Sequence, residues 1–252
     1  MQENTEGFRG SIPGRNHEFQ TTLWMTVAEA SRQDGSREAQ QALEKLCRTY
    51  WYPLYVFLRR QGKSAEDAED LTQAFFGHML EKNALRNADP DRGRFRTFLL
   101  TSLKNFVTDQ WKKDNAVKRG GGARLIELDA EVAENRYRYE PVERLDPEKL
   151  FERRWAMTLI EEVLGQLEAE YSLKGKADLF RAIQPFLMDK KTEIPQTELA
   201  TRLGMKEATL NTEVFRLRAR YRELFRYEIA QTVAHADQIE NEMRDVFAAI
   251  QA

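Results

Sequence analysis

Residues 197–217 read TELATRLGMKEATLNTEVFRL, and their spacing decides the fold. Leu199, Ala200 and Leu203 fall on one face of a short helix, with Ala200 small where two helices must cross closely. Gly204 sits at the turn, in a backbone conformation that is costly for a residue with a Cβ. Leu210, Val214 and Leu217 then recur at i, i+4 and i+7, the buried stripe of a second helix. The stretch therefore predicts a helix-turn-helix.

The opposite face of that second helix carries Thr209, Asn211, Thr212, Phe215 and Arg216. Such a helix enters the major groove by its N-terminal half. There Asn can read adenine, Arg can read guanine, and Phe or a Thr methyl can meet the thymine methyl. Arg218, Arg220 and Arg222 suit phosphates, which fix position without specifying sequence. Glu213 is the awkward member, since it repels phosphates unless it accepts from a cytosine amino group. An ordinary helical hairpin with a solvated charged face is the plainer alternative. The Ala–Gly spacing and the Arg-rich second helix favour DNA.

Outward from this stretch, the pattern is helical almost everywhere, with no period-2 alternation between turn signals. Helices are expected over 21–31, 37–49, 53–60, from Ser64 through Leu80, and over 95–113, 150–171, 176–188, 196–203, 206–226 and 237–250. Ser64 followed by Ala-Glu-Asp67 has the form of a helix cap, and Asp89-Pro90-Asp91 marks a turn. Gly120-Gly121-Gly122 opens a linker. The fold class is all-α, with two small helical domains joined by an acidic linker. The expected layout is a loose tail over 1–18, a first domain over 19–115, a linker over 116–149, a second domain over 150–235 and an acidic helix within 236–252.

The 252 residues carry a net charge of only −2, but the charge is segregated. Residues 92–119 hold eight Lys/Arg against two Asp, and 202–226 hold seven against three Glu. Between them, 127–148 hold eight Asp/Glu against three Arg. Two basic segments around an acidic one suggest two DNA-facing surfaces and a connection that faces something else. Solvated helix faces would give the same counts. The first basic segment includes FRTFLLTSLKNFVTDQWKK at 95–113, where basic residues can hold phosphates and aromatics can stack on unpaired bases. Read alone, Phe98, Phe106 and Trp111 fit a core better than a DNA surface.

Three stretches together carry a resemblance to bacterial sigma factors of the extracytoplasmic-function type. Residues 50–80, YWYPLYVFLRRQGKSAEDAEDLTQAFFGHML, resemble sigma region 2. The resemblance implies that Asp67, Asp70, Leu71, Gln73 and Phe76 dock on the β′ clamp helices of core RNA polymerase. The 95–113 stretch looks like the part of region 2 that recognises and melts the −10 element. By position this implies DNA-facing roles for Arg94, Arg96, Phe98, Lys104, Asn105, Asp109, Trp111 and Lys112. Residues 197–217 look like region 4, with Lys206, Thr209, Asn211, Thr212, Phe215, Arg216, Arg218 and Arg220 facing the −35 element. The acidic linker fits a connection that threads the polymerase cleft.

The resemblance implies a sigma factor that binds polymerase and directs promoter opening, cytoplasmic and nucleoid-associated when bound, and monomeric when free. It admits an anti-sigma factor or a kinase as regulator. The rival is a stand-alone helix-turn-helix regulator, which would dimerise to span two half-sites. No enzyme is expected. His17, His78 and His235 are scattered, and Gly120–Gly122 precede no Lys-Ser/Thr. No cofactor, metal site or membrane span is expected either. Cys47 lies among Leu43, Leu46 and Tyr50 and reads as a small buried hydrophobe. The acidic C-terminal helix is expected to fold back on the basic surface of the second domain and weaken DNA binding.

Overall fold

Ser36, in extended backbone, accepts a hydrogen bond from the Ala39 backbone N–H at 3.2 Å, and α1 (Arg37–Arg60) follows. The sequence predicted a break near Pro53, yet the helix runs through it. An internal proline costs a hydrogen bond and a steric clash, about 3 kcal/mol. Residues Trp51 to Leu58 are all buried, and that burial offsets the cost. The computed structural model describes Val27, Ala30 and residues 36–114, 130–139, 146–187, 195–233 and 235–251. The expected tail over 1–18, most of the 21–31 helix and Gly120–Gly122 lie outside them.

Ser64 caps α2 (Ala65–Glu81), accepting from the Asp67 N–H at 3.0 Å. Two single turns, Ala84–Asn87 and Pro90–Arg92, lead into α3 (Phe95–Asp114). The acidic linker contains a short helix that was not expected, α4 (Ala130–Tyr137). The next helix, α5 (Pro147–Leu173), begins three residues before the predicted start. Asp146 accepts from the Lys149 N–H at 2.7 Å, and Pro147 fills the first turn, where its missing N–H costs nothing. Then come α6 (Ala177–Ile183), a turn at Gln184–Leu187, α7 (Gln196–Arg202), α8 (Glu207–Ala230) and α9 (Ile239–Gln251). The described residues contain no strand.

Buried hydrophobic residues from α1 to α9 form one continuous cluster. Its axis is α5, which packs chiefly on α1 and also on α6, α8 and α9. The two expected units thus share a helix, with Trp155 of α5 fully buried at the seam. Cys47 is buried as expected, and burial, with Glu44 nearby, pushes its thiol pKa up to about 12. None of the described helices is long and apolar enough to cross a membrane.

Candidate nucleic-acid interfaces

On α2, a buried stripe of Ala68, Thr72, Phe75, Phe76 and Met79 faces the core. Asp67 and Asp70 are exposed on the other side, while Leu71 and Gln73 are half-buried. Gln73 donates to Glu69 at 3.1 Å. Phe76, expected to meet a partner, is turned inward. It is 6 % exposed and packs with Leu43, Leu46, Met79, Leu85, Phe95 and Leu99. It sits four residues after Thr72, on the buried stripe, and the acidic side of the helix is the one left exposed.

One side of α3 borders a cleft of about 460 Å³ shared with α2. Phe98, Asn105 and Asp109 line it together with His78, Asn87 and Gln110. Phe106 is core, with its ring 5.8 Å from Phe75 and 5.2 Å from His78. Phe98 is half-buried at the rim, 6.0 Å from the Phe95 ring. The cleft therefore gathers three of the residues expected to face DNA. His78 and Asn87 had no signal beyond their positions on neighbouring turns. The side chains of Trp111 and Lys112 lie outside the described residues.

The basic residues at the start of α3 are engaged elsewhere in the chain. Arg96, expected to face DNA, is 2 % exposed. Its guanidinium lies 4.0 Å over the Trp155 ring, its Nε donates to Glu152 at 2.6 Å, and it is paired with Glu242 of α9. Burial works against its charge, but Glu152 and Glu242 outweigh burial and hold its pKa above the ordinary arginine value. Arg96 precedes Leu99, Leu100 and Leu103 by three, four and seven residues, so helix geometry turns it inward with them. Arg94 donates from Nε to Glu242 at 2.8 Å and pairs with Asp245. Lys104 donates to Glu148 at 2.6 Å, a hydrogen bond that holds the Glu148 carboxyl below its usual pKa. The acidic C-terminal helix folds back on α8, as expected, and it also reaches the start of α3. It meets Arg94 and Arg96, and on α8 it pairs Glu240 with Arg226, near the helix's far end.

On α8, Gly204 takes φ +64° at the turn after α7, and Leu210, Val214 and Leu217 are buried. Lys206, Thr209, Asn211, Thr212, Phe215 and Arg216 are exposed, with Phe215 at 67 %. Glu213 is turned half-buried toward Lys176 at 3.2 Å and Arg216 at 3.4 Å, which removes the awkwardness of its charge. Two arginines expected to hold phosphates have internal partners. Arg218 is half-buried and donates from Nε to the Phe186 carbonyl at 2.9 Å. Arg220 donates from Nη2 to Glu170 at 2.6 Å and also pairs with Glu223. The face left open is therefore on the N-terminal half of α8.

The linker helix α4 lies against α1. Glu134 accepts from the Tyr55 hydroxyl at 2.6 Å and from Arg59 at 2.9 Å and 3.0 Å. Burial raises the Glu134 pKa, but those hydrogen bonds outweigh it and the net shift is downward. Arg136 stacks 4.5 Å over Tyr52 and pairs with Glu161 of α5.

Residues 46–117 match the family model of Sigma-70 region 2. That segment runs from within α1 past the end of α3, and so contains Asp67, Asp70 and the cleft. The match supports a sigma factor of the sigma-70 family, a non-enzymatic class acting in transcription initiation with core RNA polymerase and promoter DNA as partners. Residues 197–217 lie outside the region 2 match. No curated protein and no solved structure matches the chain.

Proposed function

We propose that the chain is an extracytoplasmic-function type sigma factor, monomeric when free, that binds core RNA polymerase and directs promoter recognition and opening. The observation that carries the reading is the region 2 match, over a segment in which Asp67 and Asp70 of α2 are exposed and Phe98, Asn105 and Asp109 of α3 line a cleft. The acidic side of α2 is the polymerase contact. The cleft receives the −10 strand, with Phe98 offering a stacking surface and Asn105 and Asp109 offering polar groups to base edges. The exposed half of α8 reads the −35 element, with Asn211, Thr212, Phe215 and Arg216 toward the bases. Catalysis is not involved. Polymerase and backbone contacts offset the few kcal/mol needed to unstack each base step.

Run-off transcription with purified core polymerase on a library of upstream sequences tests the reading. Promoter-specific transcripts are expected with the wild type and should vanish with Asp70→Ala/Gln73→Ala. If no transcript forms, no core polymerase binds, and a dimer grips duplex DNA tightly, the chain is instead a stand-alone regulator.

A further inference from the structure

The sigma reading leaves α9 without a task, and its contacts supply one. Ile239 and Val246 are buried, the Phe247 ring lies 5.3 Å from Phe225 of α8, and the Ile250 carbonyl accepts from Arg153 of α5 at 3.1 Å. By its apolar side α9 therefore belongs with α5 and α8. It meets the entrance of α3 through charge. Glu242 pairs with both Arg94 and Arg96, and Asp245 pairs with Arg94. Glu242 is 1 % exposed and also lies 3.4 Å from the Thr232 hydroxyl, so its carboxylate is held in place from its own side of the seam. Carboxylate and phosphate oxygens are equivalent acceptors for a guanidinium fork. While α9 is seated, those forks are filled.

We propose that α9 is an intramolecular ligand of the basic entrance to region 2, occupying through Glu242 and Asp245 the place of DNA phosphates and releasing it when the chain opens on polymerase. This rests on the sigma reading. An acidic ligand tethered in the same chain competes at high effective concentration. Its removal strengthens DNA binding without adding any contact to DNA. Glu152 and Trp155 stay with Arg96 after release, so Arg94 is the residue freed most completely.

The test uses full-length protein and a fluorescein-labelled single-stranded oligonucleotide of mixed sequence, without polymerase and at fixed ionic strength. Glu242→Gln/Asp245→Asn is expected to bind about tenfold tighter than wild type, within the usual range of intramolecular coupling. Asp245→Asn alone keeps the buried Glu242–Arg96 pair and is expected to give about a third of that gain on a logarithmic scale. Asp178→Asn, alone and combined with Glu44→Gln, removes one or two exposed carboxylates that pair within their own helices, and controls for the net charge of the single and double variants. The latch is overturned if the folded double variant binds no tighter than Asp178→Asn/Glu44→Gln while the wild type directs transcription with core polymerase. If the double variant fails to melt cooperatively, Asp245→Asn decides by the same comparison with Asp178→Asn. If no form yields transcripts or binds core polymerase, the sigma reading falls and the latch falls with it.

Discussion

The two basic helices, α3 and α8, look alike in sequence and differ in what the fold does with them. Both mix arginine or lysine with aromatic residues. At the entrance of α3, four carboxylates from α5 and α9 (Glu148, Glu152, Glu242 and Asp245) are paired with Arg94, Arg96 and Lys104. In the N-terminal half of α8, Asn211, Thr212, Phe215 and Arg216 are exposed, and the carboxylate paired with Arg216 is Glu213 of the same helix. A basic segment therefore has two kinds of partner available, nucleic acid and the acidic segments of its own chain. Helical phase separates them: an arginine in step with buried leucines is held inside, and one on the opposite face is free to bind.

Charge removal on the two helices should break the comparison or confirm it. Glu242→Ala leaves Arg96 with a lost partner in a buried site, and we expect a stability loss of about 3 kcal/mol in urea unfolding. Arg216→Ala should change stability by less than about 0.5 kcal/mol, since its side chain is exposed. In run-off transcription Arg216→Ala should instead weaken discrimination at one −35 base pair by about 1–3 kcal/mol. Equal stability losses for the two variants would erase the distinction between a covered and an open helix. Lys104→Gln is the intermediate case. Its pair with Glu148 is nearly half exposed, and we expect a loss under about 1 kcal/mol. A loss as large as that of Glu242→Ala would mean that the rim pairs, rather than the buried one, hold the cover.

Much of the architecture was legible because helix signals are local. Ser64 capped where its spacing to Asp67 said it would, and Gly204 took the positive φ that its place at the turn required. Pro53 misled because the cost of a proline is local while its compensation, the buried run around it, is tertiary. Pro147 misled in the other direction, reading as a linker residue when it is a helix start. In the candidate site, Asn105 and Asp109 came together with Phe98 because all three share one helix. Arg96 and Phe76 were assigned to partners by the resemblance, although each lies in step with buried neighbours, so helical phase alone pointed to their burial. The carboxylates over α3 could not be read ahead, since Glu152 and Glu242 are 56 and 146 residues from Arg96. The C-terminal helix was legible as acidic and amphipathic, but its contact with α3 followed from packing on α5.

The smallest expected effects concern α5, whose seams with the two basic helices are charged differently. Toward α3 its carboxylates meet cations. Toward α8 it joins Glu170 to Arg220, but it also brings Glu162 near Glu228. Hydrogen bonds from Lys104 and Arg220 lower the pKa values of Glu148 and Glu170 below the ordinary 4.5. A depressed carboxylate contributes stability above its unfolded pKa and loses it as pH falls through the folded value. Unfolding free energy from urea titrations should therefore decline as pH drops below 4.5, and Glu148→Gln or Glu170→Gln should each make that decline shallower. Glu162 runs the other way. Burial first, and then the charge of Glu228, raise its pKa, so its contribution is present at acid pH and lost as pH rises through the folded value. Glu162→Gln should raise the urea midpoint slightly at pH 7 and leave it unchanged at acid pH, where the native glutamate is protonated and resembles glutamine. A midpoint that falls at pH 7 would mean that the attraction of Lys45 on α1 for the Glu162 charge outweighs burial and the repulsion from Glu228 on α8.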